Sequence, residues 1–203
     1  MKLYVARHGE TDWNSEHRMQ GWIDIPLNAV GLEQAETLAG RLTEAGIRPD
    51  RIYASPLTRA RQTAAPMAER AGLPVILLDG LKEIGFGEWE GLIYNDEIAA
   101  RDPDIYAAWR ADRYHNAAPG GENCQTVIGR LVPAMKRILD DGDGTVLVVM
   151  HGAVLKTLYF AVNGLDFLQF ASIPVIGNGD YMEFDPEAVA RFVARYAPTP
   201  NDF

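Results

Sequence analysis

The apolar positions of this chain change period as it runs. Residues 2–6, KLYVA, form a short β-prone run that stops abruptly at Arg7-His8-Gly9-Glu10. Over 28–46 the apolar residues Leu32, Ala35, Leu38, Ala39 and Leu42 recur at the spacing of one helical stripe, and Gly46 supplies a stop. Residues 51–55, RIYAS, predict a second strand. Residues 56–72 predict a helix with Pro56 in its first turn and Gly72 past its end. PVILL (74–78) reads as a third strand, and 126–142 as a helix that Pro133 should bend or interrupt. TVLVVM (145–150) is apolar without a break, as a central parallel strand is. A helix over 152–164 and a last strand over 181–184 complete the pattern. Strands alternating with helices predict an α/β protein, a three-layer α/β/α sandwich around a mostly parallel sheet.

Region 85–123 breaks the alternation. It reads as an inserted helical and loop cap over the sheet, within a single domain spanning 1–203. Its aromatic residues, Trp89, Tyr94, Tyr106, Trp109 and Tyr114, suit a ring-bearing substrate and an ordinary packed cap equally well.

Composition narrows the function classes. At 203 residues, 47% hydrophobic and 23% charged, this is an ordinary globular composition. No window approaches the roughly 18 apolar residues of a membrane helix, and the first residues lack the basic, apolar and small succession of a signal peptide. A lone Cys124 excludes an internal disulfide and a multi-cysteine metal site. The expected location is the cytoplasm, with no membrane partner. A net charge of −9 argues against nucleic acid. The 19 basic residues are 15 Arg and 4 Lys, a skew that favours bidentate anion recognition or simply reflects genome composition.

In open α/β sheets, ligands bind beyond the carboxyl ends of the strands. Strand one ends in Arg7-His8-Gly9, strand two in Ser55-Pro56 with Arg59 a turn later, and the long apolar strand in His151-Gly152. If the strands are parallel, these ends share one rim. Guanidinium groups and an imidazolium gathered there suit a phosphate-sized anion. The helices starting near Pro56 and Gly152 would add their N-termini. A histidine at a strand end is also a common structural residue. A metal site would need further ligands and would be opposed by Arg7 beside His8. GFGEWEG (85–91) lacks the G-x-G-x-x-G spacing of a dinucleotide loop. His17 and His115 read as surface residues.

The ordered set ARHGETDWN, RMQGWIDIPLNAVGLEQA, YASPLTRARQTA, EIGFGEWEG, PGGEN and VMHGAVLK resembles the successive motifs of the histidine phosphatase superfamily, the phosphoglycerate-mutase-like proteins. The resemblance runs from residue 3 to about 160. It implies a phosphohistidine mechanism with catalytic residues His8 as nucleophile, Glu83 as proton donor and a protonated His151 that stabilises charge. It also implies a phosphate and substrate pocket built from Arg7, Asn14, Gln20, Gly21, Arg59 and Gly152, with no metal and no cofactor. Arg61, two residues beyond Arg59, points elsewhere on a helix.

Two activities share such a pocket. Family mutases usually carry a small hydroxyl residue before the glycine of the GW motif and basic residues in the insertion. Here that position is Gln20, and Arg101, Arg110 and Arg113 form no adjacent pair. The motifs resemble the phosphatase branch. The expectation is a phosphomonoester hydrolase acting on a small phosphorylated metabolite. The alternatives are a phosphoglycerate mutase and a non-catalytic phosphate-binding regulator, which turnover of any phosphomonoester would exclude. A homodimer through a sheet edge or helix face is the default for such a sheet.

Overall fold

In the computed structural model, which describes residues 1–197, five strands form one sheet. These are β1 (Lys2–Arg7), β2 (Arg51–Ala54), β3 (Val75–Leu77), β4 (Thr145–Met150) and β5 (Tyr181–Phe184), in the spatial order β3-β2-β4-β1-β5. β1 runs parallel to β4 from Lys2 opposite Thr145 to Arg7 opposite Met150. β2 is parallel to both β4 and β3, and only the edge strand β5 is antiparallel, against β1.

Side-chain alternation along these strands makes the two faces. Leu3, Val5, Tyr53, Val146, Val148 and Met150 enter one buried cluster. Tyr4, Ala6, Ile52, Ala54, Leu147 and Val149 enter the other. Helices α2 (Ala29–Glu44) and α3 (Thr58–Ala71) cover the second face with Leu38, Leu42, Ala60, Ala64 and Met67. Helices α6 (Cys124–Asp140), α7 (Gly152–Asn163) and α8 (Pro186–Tyr196) cover the first. The architecture is the expected three-layer sandwich.

Several local expectations need correcting. α3 starts at Thr58, so Pro56 lies before the helix and not in its first turn. Leu32 is 49% exposed, and the α2 stripe begins instead at Gly31, which is buried. Pro133 does not interrupt α6, which runs 17 residues through it. The apolar face of Val127, Leu131, Met135 and Ile138, all 0% exposed, outweighs the cost of the missing N–H, about 3 kcal/mol. α8 was not anticipated, although Asp185 caps it through Glu187 N and Ala188 N and Pro186 opens it.

The region 85–123 holds two short helices, α4 (Glu97–Arg101) and α5 (Pro103–Ala111). They follow α1 (Asp12–Ser15), a single turn after β1. The cap aromatics are mostly core. Trp89 and Trp109 pack edge to face at 5.4 Å, Tyr106 stacks on Trp109 at 5.8 Å, and all three are buried within the main cluster. No helix among the described residues is long and apolar enough to cross a membrane.

Candidate active site

The carboxyl ends of β1, β2 and β4 meet at one rim, because the three strands are parallel neighbours. His8 N donates to Met150 O at 2.9 Å and Ser55 N to Val149 O at 3.0 Å, so the ladder continues into the loops that carry the chemistry.

The loop after β1 is fixed by backbone contacts. Gly9 N donates to Thr63 Oγ1 at 2.9 Å, and that hydroxyl donates to Arg59 O at 2.7 Å. A Cβ on Gly9 would lie 2.5 Å from Gly31 O, and one on Gly31 would lie 2.0 Å from Glu10 O. Two facing glycines therefore let the loop sit directly on the first turn of α2. Asn178 closes the other side, its Nδ2 donating to His8 O at 3.0 Å, Gly9 O at 3.2 Å and Asn14 Oδ1 at 3.2 Å.

Within this frame His8 is 2% exposed, and its Nδ1 lies 2.6 Å from Gly9 O. A carbonyl only accepts, so Nδ1 carries the proton and Nε2 keeps its lone pair. Burial holds the imidazole well below its ordinary pKa, and the guanidinium groups of Arg59 and Arg7 push it the same way.

Arg59 is fully buried. It donates to Gly21 O at 2.8 Å, to Ile23 O at 3.0 Å and through Nε to His151 Nδ1 at 3.1 Å. That last bond settles the state of His151. Nδ1 accepts, so the neutral ring carries its proton on Nε2, and this buried N–H has no partner among the described residues. Burial, then Arg59 and His8, hold its pKa well below the usual value. The expected imidazolium is thus corrected to a neutral N–H donor, its ring centroid 5.1 Å from that of His8.

Arg7, Asn14, Gln20, Gly21, Arg59, His8 and Glu83 line one cavity of about 140 Å³. Arg7 Nε and Gln20 Oε1 are buried without a partner among the described residues. A Cβ on Gly152 would lie 3.1 Å from Arg7 Nε, so this glycine leaves room for the guanidinium. Gly21 takes φ +54°, which turns the chain over Glu90. Arg61 is exposed, and so are His17 and His115. Phe86, an apolar neighbour of Glu83, lines the same cavity; Arg18 and Met19 line it too, and sequence reasoning missed both.

Glu83 stands on the opposite wall. Its carboxyl accepts Ile84 N at 2.9 Å, Val154 N at 3.0 Å and Ala153 N at 3.2 Å. The N-terminal amides of α7 therefore hold the carboxyl of Glu83, and Asp24 takes Thr58 N of α3 at 2.6 Å. The expectation that these two helix ends face a phosphate is corrected: each is engaged by an acidic side chain. The charge for an anion comes from Arg7 and Arg59.

A second, wider cleft of about 560 Å³ shares Arg7, Asn14, Arg18 and Met19 with the first. Trp13, Tyr94, Asn95, Asp96 and Asn178 line its far side. Among the described residues, no group of three or more His, Cys, Asp or Glu side chains is placed to hold a metal ion.

The family model of the histidine phosphatase superfamily (branch 1) matches residues 3–197. A metal-independent phosphoserine phosphatase of Arabidopsis thaliana is 38% identical over 164 residues, covering 79% of this chain and 68% of that protein. A 2,3-bisphosphoglycerate-dependent phosphoglycerate mutase of a Methylobacterium is 37% identical over 170 residues, 80% of this chain and 81% of its own. The solved mycobacterial glucosyl-3-phosphoglycerate phosphatase complexed with VO3 superposes with a TM-score of 0.80 at 32% identity, covering 90% of this chain and 91% of that one.

Proposed function

The chain belongs to the histidine phosphatase superfamily, branch 1, and from that premise we propose that it hydrolyses small phosphomonoesters through a phosphohistidine at His8, without a metal ion. The observation that carries the reading is the 2.6 Å contact of His8 Nδ1 with Gly9 O, which leaves Nε2 as the nitrogen with a free lone pair in a cavity that Arg7 and Arg59 also line.

The phosphoryl group enters the cavity of about 140 Å³ against Arg7 and Arg59; His151 does not line that cavity, but its ring packs against His8 and its buried Nε2–H supplies a further donor behind it. Phosphoryl transfer asks the protein mainly for positioning and charge neutralisation, and two buried cations with an aimed N–H donor supply both. Nε2 of His8 attacks phosphorus, the ester P–O bond breaks, and Glu83 gives its proton to the departing oxygen. Glu83, now a carboxylate, takes a proton from water as that water attacks phospho-His8, which releases phosphate and restores both residues.

The leaving group extends into the adjoining cleft, whose polar lining of Arg18, Asn95 and Asp96 suits a small polar metabolite. The named substrates of two relatives, phosphoserine and glucosyl-3-phosphoglycerate, are small and polar in that sense. The mutase reading draws on the Methylobacterium relative. Gln20, where family mutases carry a small hydroxyl residue, weighs against it. A cytoplasmic location belongs to the same proposal.

Rapid quench with ³²P-labelled substrate tests it. Label should appear on the peptide containing Arg7-His8-Gly9, acid-labile and base-stable, and disappear to water within turnovers. His8→Ala should lose label and turnover together. Label that persists until an acceptor is added would indicate a mutase. Turnover without label would point to direct attack by water. Full activity in excess chelator is the expected outcome for metals, and loss restored by Mg²⁺ or Zn²⁺ would refute metal independence.

A further inference from the structure

Two motifs of the sequence, GFGEWEG and PGGEN, have no part in the chemistry above, yet the structure brings them together at the proton donor. Glu83 lies between two 3₁₀ turns, Asp79–Leu81 and Gly87–Trp89, in a stretch with no strand or helix ladder of its own. Its backbone is held from outside. Arg130, in the middle of α6, donates to Gly80 O at 2.9 Å, Lys82 O at 2.7 Å and Glu83 O at 2.9 Å. The same guanidinium grips Glu122 of PGGEN through Nε and NH2, both at 2.8 Å. Glu122 in turn accepts Gly85 N at 2.9 Å, and its own N–H donates to Gly85 O at 2.7 Å. The pair is largely shielded, with side chains 20% and 12% exposed.

Gly80 and glycines of both motifs serve this contact. A Cβ on Gly80 would lie 2.4 Å from Arg130 O, one on Gly121 would lie 2.6 Å from Gly85 O, and one on Gly87 would lie 2.3 Å from Pro119 O. The donor segment is thus pressed on α6 from below and on the PGGEN loop from the side.

We propose that Arg130 and Glu122 are a positioning pair for the proton donor, and that by fixing residues 80–85 they set how effectively Glu83 protonates the leaving oxygen. The inference rests on Glu83 being that donor. Proton transfer needs the two heavy atoms within about 2.6–3.2 Å, and a displacement of about 1 Å can cost on the order of 10²-fold. Five of the bonds made by the pair go to the backbone within three residues of Glu83, so loosening the pair moves the carboxyl before it disturbs His8, Arg7 or Arg59.

A purely structural role would slow every substrate alike. A positioning role slows only those whose leaving oxygen needs a proton. The test is kcat/KM for Arg130→Lys, Arg130→Gln and Glu122→Gln across a series from nitrophenyl to alkyl phosphates, with thermal melts to confirm folding. The expected result is a loss of about tenfold or more on alkyl phosphates, little loss on p-nitrophenyl phosphate, and label still carried by His8. Adding Arg130→Gln to Glu83→Gln should cost nothing further on alkyl phosphates. Equal losses across the series, or losses that multiply with Glu83→Gln, would overturn the inference. If Glu83→Gln alone fails to discriminate between leaving groups, the donor assignment itself falls and the pair falls with it. Should Arg130→Gln not fold, the charge-conserving Lys variant and Glu122→Gln carry the comparison.

Discussion

Single atoms decide the reactive nitrogen. The 2.6 Å contact of His8 Nδ1 with Gly9 O leaves only Nε2 to attack, and the bond from Arg59 leaves His151 a proton on Nε2 to donate. His151→Ala should therefore slow turnover by about 10²–10³, as loss of an aimed oxyanion donor does, while quench still finds label on His8. Asn178→Ala removes three bonds at once, to His8 O, Gly9 O and Asn14 Oδ1. At about 1 kcal/mol for each bond, turnover should fall by tenfold or more, and a rate within twofold of the parent would mean that the β1 loop holds itself. Arg7, His8, Arg59, Glu83 and His151 were all visible in the sequence, because their residue types sit in recognisable motifs or at strand ends. Asn178 was not. It acts through backbone oxygens of residues 8 and 9 across 170 positions, and no local pattern encodes that contact. Thr63 escaped for the same reason, being a small polar residue buried beside Arg59 on the inner face of α3.

At the level of elements, the first turn of α2 and the loop after β1 are interdependent. Gly31 is in helix, where alanine ordinarily stabilises by roughly 0.5–1 kcal/mol. Here a Cβ would stand 2.0 Å from Glu10 O, against backbone that cannot swing aside. Gly31→Ala should lower both melting temperature and turnover, and a stabilised, active variant would show that the loop can retreat. The strands and the four helices α2, α3, α6 and α7 were legible in the sequence. Helix ends were not, since Pro56 resembles a first-turn proline yet precedes a helix that starts at Thr58, where Asp24 receives the amide. Pro133 misled in the opposite direction, because a buried face holds α6 together through it. α8 was missed although Asp185-Pro186-Glu187 is an ordinary start signal; its stripe of Val189, Phe192 and Val193 is only three residues long.

Over the whole molecule, two buried neutral histidines make stability depend on pH. An unfolded histidine gains its proton near pH 6.5, whereas burial keeps His8 and His151 neutral well below that. Between the two values the unfolded chain binds more protons, so stability is complete above about pH 6.5 and declines as pH falls toward the folded values, by up to about 1.4 kcal/mol per unit for each group. Urea unfolding at pH 7.5 and 5.5 should show a drop that shrinks in His8→Ala; an unchanged drop would assign it to other groups. The same cavity has a further consequence. Arg7 and Arg59 are desolvated within the fold, which lowers the pKa of both guanidinium groups. An anion that enters repays that cost whether or not it carries an ester. Inorganic phosphate should then raise the melting temperature at fixed ionic strength, through about 2.7 kcal/mol of added stability at a hundredfold excess over its Kd. The rate of such a catalyst is throttled by its own product, and follows the phosphate level of its surroundings as well as the supply of ester.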